Sequence, residues 1–227
     1  MKRLFFTVLA ASAFTACKQH VPTALDVQQI KGPVKQTIET PYATSFRNGD
    51  WQKDGLMPGQ MSMTFNYNEA GEDTSYVMAD HEGTTIIRYV SEFDDNGVST
   101  GGRSYNGDGR LESITMVQRY AANKLPLEYT SYSATSQDTF RNVSEFNDKM
   151  QLVHITIYHQ EAEVLYDERI AFGEKGIPVK RTVTNSEGEK NETAFEYLNF
   201  DEKGNWIRRL EKGKDTVLKE RKITYYK

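Results

Sequence analysis

Cysteine occurs once in these 227 residues, at position 17, so an internal disulfide and a Cys-based structural zinc site are both excluded. Apolar residues make up 37% of the chain. That share is too small for a thick, fully buried core. No apolar run after residue 16 is long enough for a membrane-spanning helix. A clustered basic block is also lacking. The chain from Cys17 onward carries 26 basic and 32 acidic residues, interspersed, for a net charge of −6. Nucleic acid is therefore not expected as a partner, because phosphate neutralisation needs a concentrated cationic surface.

What the first residues do contain is an address. Lys2 and Arg3 precede the apolar run Leu4–Ala11, and small residues lead to Cys17. These three regions form a secretory signal peptide over residues 1–16. Phe14-Thr15-Ala16-Cys17 resembles a bacterial lipobox. The resemblance implies cleavage before Cys17 and acylation of its thiol and amine, and so a membrane contact made by lipid. Lys18 stands where an inner-membrane retention Asp would be, and no acidic export cluster follows. The resemblance then implies the periplasmic face of the outer membrane, with the cell surface as the alternative. Residues 17–36 are polar, contain Pro22, Gly32 and Pro33, and read as the lipidated cysteine and a tether. Residues 37–227 read as one repeat domain.

The repeat is set by aromatics. Tyr67, Phe93, Tyr120, Phe146, Phe172 and Phe200 recur at intervals of 26 to 28 residues. Each precedes a turn-like segment, and Gly71, Gly97, Gly176 and Gly204 follow four residues after their aromatic. A second set of Asn/Asp/Gly-rich turns falls between them, such as Asn106-Gly107-Asp108-Gly109 and Asn185-Ser186-Glu187-Gly188. A fixed period of this size marks a repeat architecture. Two turns per period leave two strands of eight to ten residues. Intervening segments such as Leu152–Tyr158 are β-branched or aromatic, as strands require. The expected fold is all-β, an antiparallel meander of about twelve strands. One or two more strands are expected around Val34–Thr44 and Met61–Phe65. Polar residues on both alternating sets predict an open, curled or spiralled sheet rather than a closed barrel. The Lys227 end is then an unpaired edge.

Phe200-Asp201-Glu202-Lys203-Gly204-Asn205-Trp206 resembles the turn-and-strand signature of YD or Rhs-like repeats. Phe93–Gly97 and Tyr67–Gly71 are weaker copies. Ile30–Gln36 is similar to the segment preceding such repeats in small Bacteroidota lipoproteins. The resemblance covers about residues 30–227 and implies a hairpin-repeat sheet, without implying an activity.

Catalytic patterns are sparse. His20, His81, His154 and His159 have no metal-ligand spacing, and no cofactor or metal is expected. Asp94, Asp95, Asp108, Glu161, Glu163, Asp201 and Glu202 crowd the turns, where turn chemistry explains them. A pair acting in glycoside hydrolysis is the enzymatic alternative. Gly101-Gly102-Arg103 reads as a loop. Aromatics are the remaining handle: Tyr129, Tyr132, Tyr158, Trp51 and Trp206 are candidates for a sugar-stacking platform, with Tyr132 and Trp206 foremost. The expected function is a non-enzymatic, membrane-anchored binding or scaffold protein with an envelope protein or glycan as partner. The alternative is a carbohydrate-binding module of the envelope.

Overall fold

A computed structural model describes residues 22–160 and 162–227. The signal peptide, Cys17, His20 and Glu161 lie outside the described residues. A single helical turn, α1 (Ala24–Val27), precedes fifteen antiparallel strands. These are β1 (Val34–Arg47), β2 (Asp50–Leu56), β3 (Ser62–Tyr67), β4 (Asp73–Ala79), β5 (Thr85–Phe93), β6 (Ser99–Asn106), β7 (Leu111–Tyr120) and β8 (Pro126–Ser133). Then come β9 (Thr139–Phe146), β10 (Leu152–His159), β11 (Glu163–Phe172), β12 (Pro178–Asn185), β13 (Lys190–Phe200), β14 (Trp206–Lys212) and β15 (Thr216–Tyr225).

From β3 to β15 each strand pairs with the next. β1 then pairs with β15 along Val34–Ala43 and with β3 along Gln36–Glu39. β1 and β3–β15 therefore form a closed barrel of 14 strands. This corrects the open sheet of about twelve strands, and it removes the free edge at Lys227. Closure is made in the first half of β1, where Gln36–Glu39 pair with β15 on one side and β3 on the other. Further along, Tyr42–Arg47 pair with β2, forming a hairpin outside the ring.

The aromatic clock has a simple structural meaning. Tyr67, Phe93, Tyr120, Phe146, Phe172 and Phe200 are the last residues of β3, β5, β7, β9, β11 and β13. Each is followed by the same tight turn. After Phe93, for example, the Asp94 N–H donates to Val98 O and the Gly97 N–H donates to Asp94 O. The Asp94 Oδ1 accepts the Asn96 and Val98 amides at 2.9 Å each. The fourth turn residue needs a left-handed backbone, with φ of 77° at Gly97. Lys124 and Met150 adopt the same conformation, at 68° and 59°, without being glycine.

Register divides the side chains into two faces. Tyr89 and Tyr129 line one cavity although β5 and β8 are three strands apart, so their side of the sheet is concave. Following the register around the ring, the lumen receives Met63, Phe65, Tyr76, Tyr89, Ser104, Thr115, Tyr129, Ile157, Tyr166, Arg181, Phe195, Arg209, Lys219, Arg221 and Glu39. This wall mixes aromatics with charge, and a ring this wide does not need an apolar fill.

Strict alternation of faces fails locally. Alternation places Trp206 beside Arg208 and opposite Arg209. A bulge where Asn199 and Phe200 meet Arg208 and Trp206 inverts it. The Arg209 and Arg221 guanidiniums lie 4.2 Å and 3.8 Å from the Trp206 ring centroid, so Trp206 belongs to the lumen. Gly101 and Gly102 also differ from expectation, lying inside β6 rather than in a loop.

Candidate functional site

Residues 22–33 lie across the barrel mouth that carries the aromatic-ended turns. Thr23 starts α1 by accepting the Asp26 amide, while the Asp26 carboxylate accepts the Thr23 amide at 2.8 Å, a reciprocal cap. Leu25 packs with Ile30, Val34 and Tyr67. The Leu25 amide donates to Gly71 O. Further on, the buried Asn205 side chain accepts from the Lys31 amide at 2.7 Å and donates to the Lys31 carbonyl at 3.0 Å. Tyr67 donates to Gln28 Oε1 at 2.6 Å. Burial pushes its phenol up to about 12.

Between this cap and the inner wall is a half-open cavity of about 230 Å³. Tyr89, Phe93, Tyr129 and Phe146 supply its rings, and Glu72 and Asp73 its carboxylates. Tyr89 is fixed by parallel stacking on Tyr76, centroids 5.1 Å apart. It also lies over Gly102, where a Cβ would sit 2.6 Å from the phenol carbon and oxygen. Burial raises Tyr129 to about 12. It raises Asp73 to about 6, against the pull of the Ser75 amide on its carboxylate. Asp73 Oδ1 is buried with no hydrogen-bond partner. Glu72 also rises to about 6 through burial, although the Ala24 amide donates to it, with Asp26 and Asp73 adding repulsion.

A second polar cluster occupies the lumen at the closing seam. The Arg221 Nε donates to Glu39 Oε1 at 2.9 Å, Lys219 lies 3.1 Å from Glu211, and Arg209 Nε is 3.0 Å from the same Glu211 oxygen. Burial works against the charged Glu211, but Arg209 and Lys219 overcome it and hold the carboxyl at about 2. Every charge here has a partner, so this cluster is a structural tie.

The outer wall is charged as well. Arg141 and Glu128, His154 with Glu145 and Asp167, Lys180 and Glu192, and Lys212 and Glu196 pair across it. At β14–β15 the β1–β2 hairpin covers this wall. Lys53 pairs with Glu220 at 2.9 Å, Arg208 donates to Trp51 O at 3.0 Å, and Leu210 and Leu218 beneath are fully buried.

The stacking candidates do not share a surface. Tyr132 is on the outer wall, 42% exposed, opposite Ile114. Trp206 is 6% exposed in the lumen and already covered by two arginines. Trp51 lies on the external hairpin, and Tyr158 is outside under Arg141. Only Tyr129 reaches the cavity. Of the repeat aromatics, Phe93 and Phe146 line it too. The turn carboxylates Asp94 and Asp201 each accept turn amides on Oδ1, and Asp201 Oδ2 accepts from the Tyr225 hydroxyl. His159 joins Asp138 and Glu163 at the opposite rim, and His81 is exposed in a turn. Among the described residues no group of three or more His, Cys, Asp or Glu side chains is arranged to hold a metal ion. Glu72 and Asp73 were not singled out by the sequence, because they end a turn and begin a strand in a chain whose turns carry many acids.

No family model matches the chain, and no curated protein does. Among solved structures it is similar to a porin-like protein from Bacteroides uniformis, at 12% identity over 85% of this chain and 97% of that one, TM-score 0.48. It is also similar to part of TcdB2-TccC3 without its hypervariable C-terminal region, at 10% identity and TM-score 0.33. That match covers 80% of this chain and 11% of the other.

Proposed function

We propose that this protein is a non-enzymatic binding protein of the bacterial envelope, anchored by lipid on Cys17, with its barrel standing in water. The ion-paired outer wall carries this reading. A barrel that crosses a bilayer needs an outward apolar band, and each outward Arg or Lys at the midplane costs about 2–4 kcal/mol. Here Arg103, Arg141, Arg169, Lys180 and Lys212 all face outward with their carboxylate partners. Membrane contact then falls to the acyl chains, and binding to the cavity under the cap. A platform made of Tyr132 and Trp206 is not part of the proposal, since the two lie on opposite faces of the sheet.

Fractionation tests it. The wild-type protein should sediment with membranes and need detergent for release. The chain from residue 18 exported behind a cleavable signal without a lipobox should appear in the soluble fraction. If that unlipidated chain stays in the membrane through alkaline carbonate extraction, the strands themselves insert, and the reading would fail.

A further inference from the structure

We propose that the cavity beneath the N-terminal cap binds a small organic cation, an alkylammonium or quaternary ammonium compound. The inference deepens the binding reading above and rests on it.

The cavity combines two features that few other ligands satisfy together. It is lined by aromatic residues of three different strands, Tyr89 and Phe93 from β5, Tyr129 from β8 and Phe146 from β9. Glu72 and Asp73 line it too, and no Lys, Arg or His does. Several other carboxylates of this barrel are ion-paired. Glu39 and Glu211 in the lumen each face basic side chains, and Glu128, Asp167 and Glu192 on the wall are ion-paired. Asp73 instead has the Ser75 amide on its carboxylate and no basic side chain, and its Oδ1 is buried with no partner. A buried carboxylate without a counter-charge is expensive, and a cation supplied from outside lowers that cost. Aromatic rings beside the same space can attract such a cation through their quadrupoles. An anion would meet only repulsion. A neutral sugar could stack on the rings but would leave the charge uncompensated. A cavity of about 230 Å³ suits a single small molecule rather than a polymer.

One of these rings is also preorganised. Tyr89 is clamped between Tyr76 and the bare backbone of Gly102, so little freedom is lost on binding.

Calorimetric titration of the purified full chain with choline, n-butylammonium and glucose tests the proposal. At least one cation should bind saturably. Asp73→Asn, which keeps the shape and removes the charge, should weaken it at least tenfold. Glu72→Gln and Tyr129→Leu should weaken it too, and Tyr132→Ala on the outer wall should not. Circular dichroism identifies any variant that fails to fold, and Glu72→Gln then stands in for Asp73→Asn. Three results would overturn the proposal: no saturation with either cation, equal affinity in the folded charge-removing variants, or glucose binding tighter than both cations. None of these bears on the Cys17 fractionation, so the two readings fail separately.

Discussion

Glu39 and Arg221 face each other directly across the seam between the first and last strands, joined by the Arg221 Nε–Glu39 Oε1 bond of 2.9 Å. Burial alone would raise the Glu39 carboxyl, but Arg221, Arg209 and Lys219 hold it below its ordinary range. Arg221→Met should therefore do more than delete one bond. It removes the guanidinium bonded to a buried carboxylate, leaving Lys219 at 4.0 Å, and takes one of two arginines off the Trp206 ring, so the expected loss is about 3 kcal/mol in urea denaturation. The double variant Glu39→Gln/Arg221→Met should recover part of that loss. If the double variant is no more stable than the single, the pair is not the tie described here. Hydrogen exchange at Gln36–Ala43 should accelerate in the single variant, since those amides zip the barrel shut.

Asn205 fixes the cap as Glu39 fixes the seam. Its side chain closes two hydrogen bonds on the Lys31 backbone while 2% exposed. Asn205→Ala leaves the Lys31 amide and carbonyl without these partners. The expected cost is about 1–3 kcal/mol, felt by the cap rather than by the distant strands. Limited proteolysis should cut after Lys31 much faster in the variant while the barrel itself persists. Equal cleavage rates would show that Leu25 and Ile30 hold the cap without Asn205.

The pH dependence of stability separates the two kinds of carboxylate. In the unfolded chain Asp and Glu ionise near pH 4. Asp73 and Glu72 ionise only at about 6 when folded. Between these values the folded state holds protons that the unfolded state releases. Their contribution is thus fully present below about pH 4 and lost as pH rises through 6. Glu211, held at about 2, acts the other way: its contribution is present above about pH 4 and lost as pH falls toward 2. Comparing wild type with Asp73→Asn isolates one group. The variant should gain on wild type by on the order of 1 kcal/mol between pH 4.5 and 7, after discounting for solvent contact. A variant that loses ground over that range would contradict a desolvated Asp73.

Which parts of this structure a sequence can disclose follows from how far apart the determining residues lie. The repeat turns were legible because each is local. An aromatic ends the strand, an Asp or Asn side chain caps the turn amides at positions 68, 94, 147 and 201, and a left-handed residue follows, all within five positions. Barrel closure was not legible, because it joins Val34–Ala43 to residues near the other end of the chain. The inner face misled as well. It alternates regularly, but Glu39, Arg209, Glu211, Lys219 and Arg221 share it with the rings, so no apolar period of two survives. The bulge before Arg208 then moved Trp206 to the face opposite the one its position implies. The cavity was hidden for a different reason. Glu72 and Asp73 look like turn acids until residues 22–28 are laid over them. Nothing in a polar, proline-containing segment announces that it folds back.

The two turns that lack glycine offer a direct probe of what the repeat demands. Lys124 and Met150 hold φ of 68° and 59°, where the other four turns of this mouth use Gly71, Gly97, Gly176 and Gly204. A non-glycine residue in that region carries a backbone cost of about 1–2 kcal/mol, partly offset because glycine loses more entropy on folding. Lys124→Gly should therefore stabilise the barrel by about 0.5–1 kcal/mol. Gly97→Ala, with open space around its Cβ position but φ of 77°, should destabilise it by a similar amount. Gly97 meets no neighbour within 4 Å, so a loss there can only be conformational. Paired urea melts of the two variants give the answer. Opposite signs would establish that backbone handedness, rather than side-chain packing, sets the clock of this barrel, and equal signs would refute it.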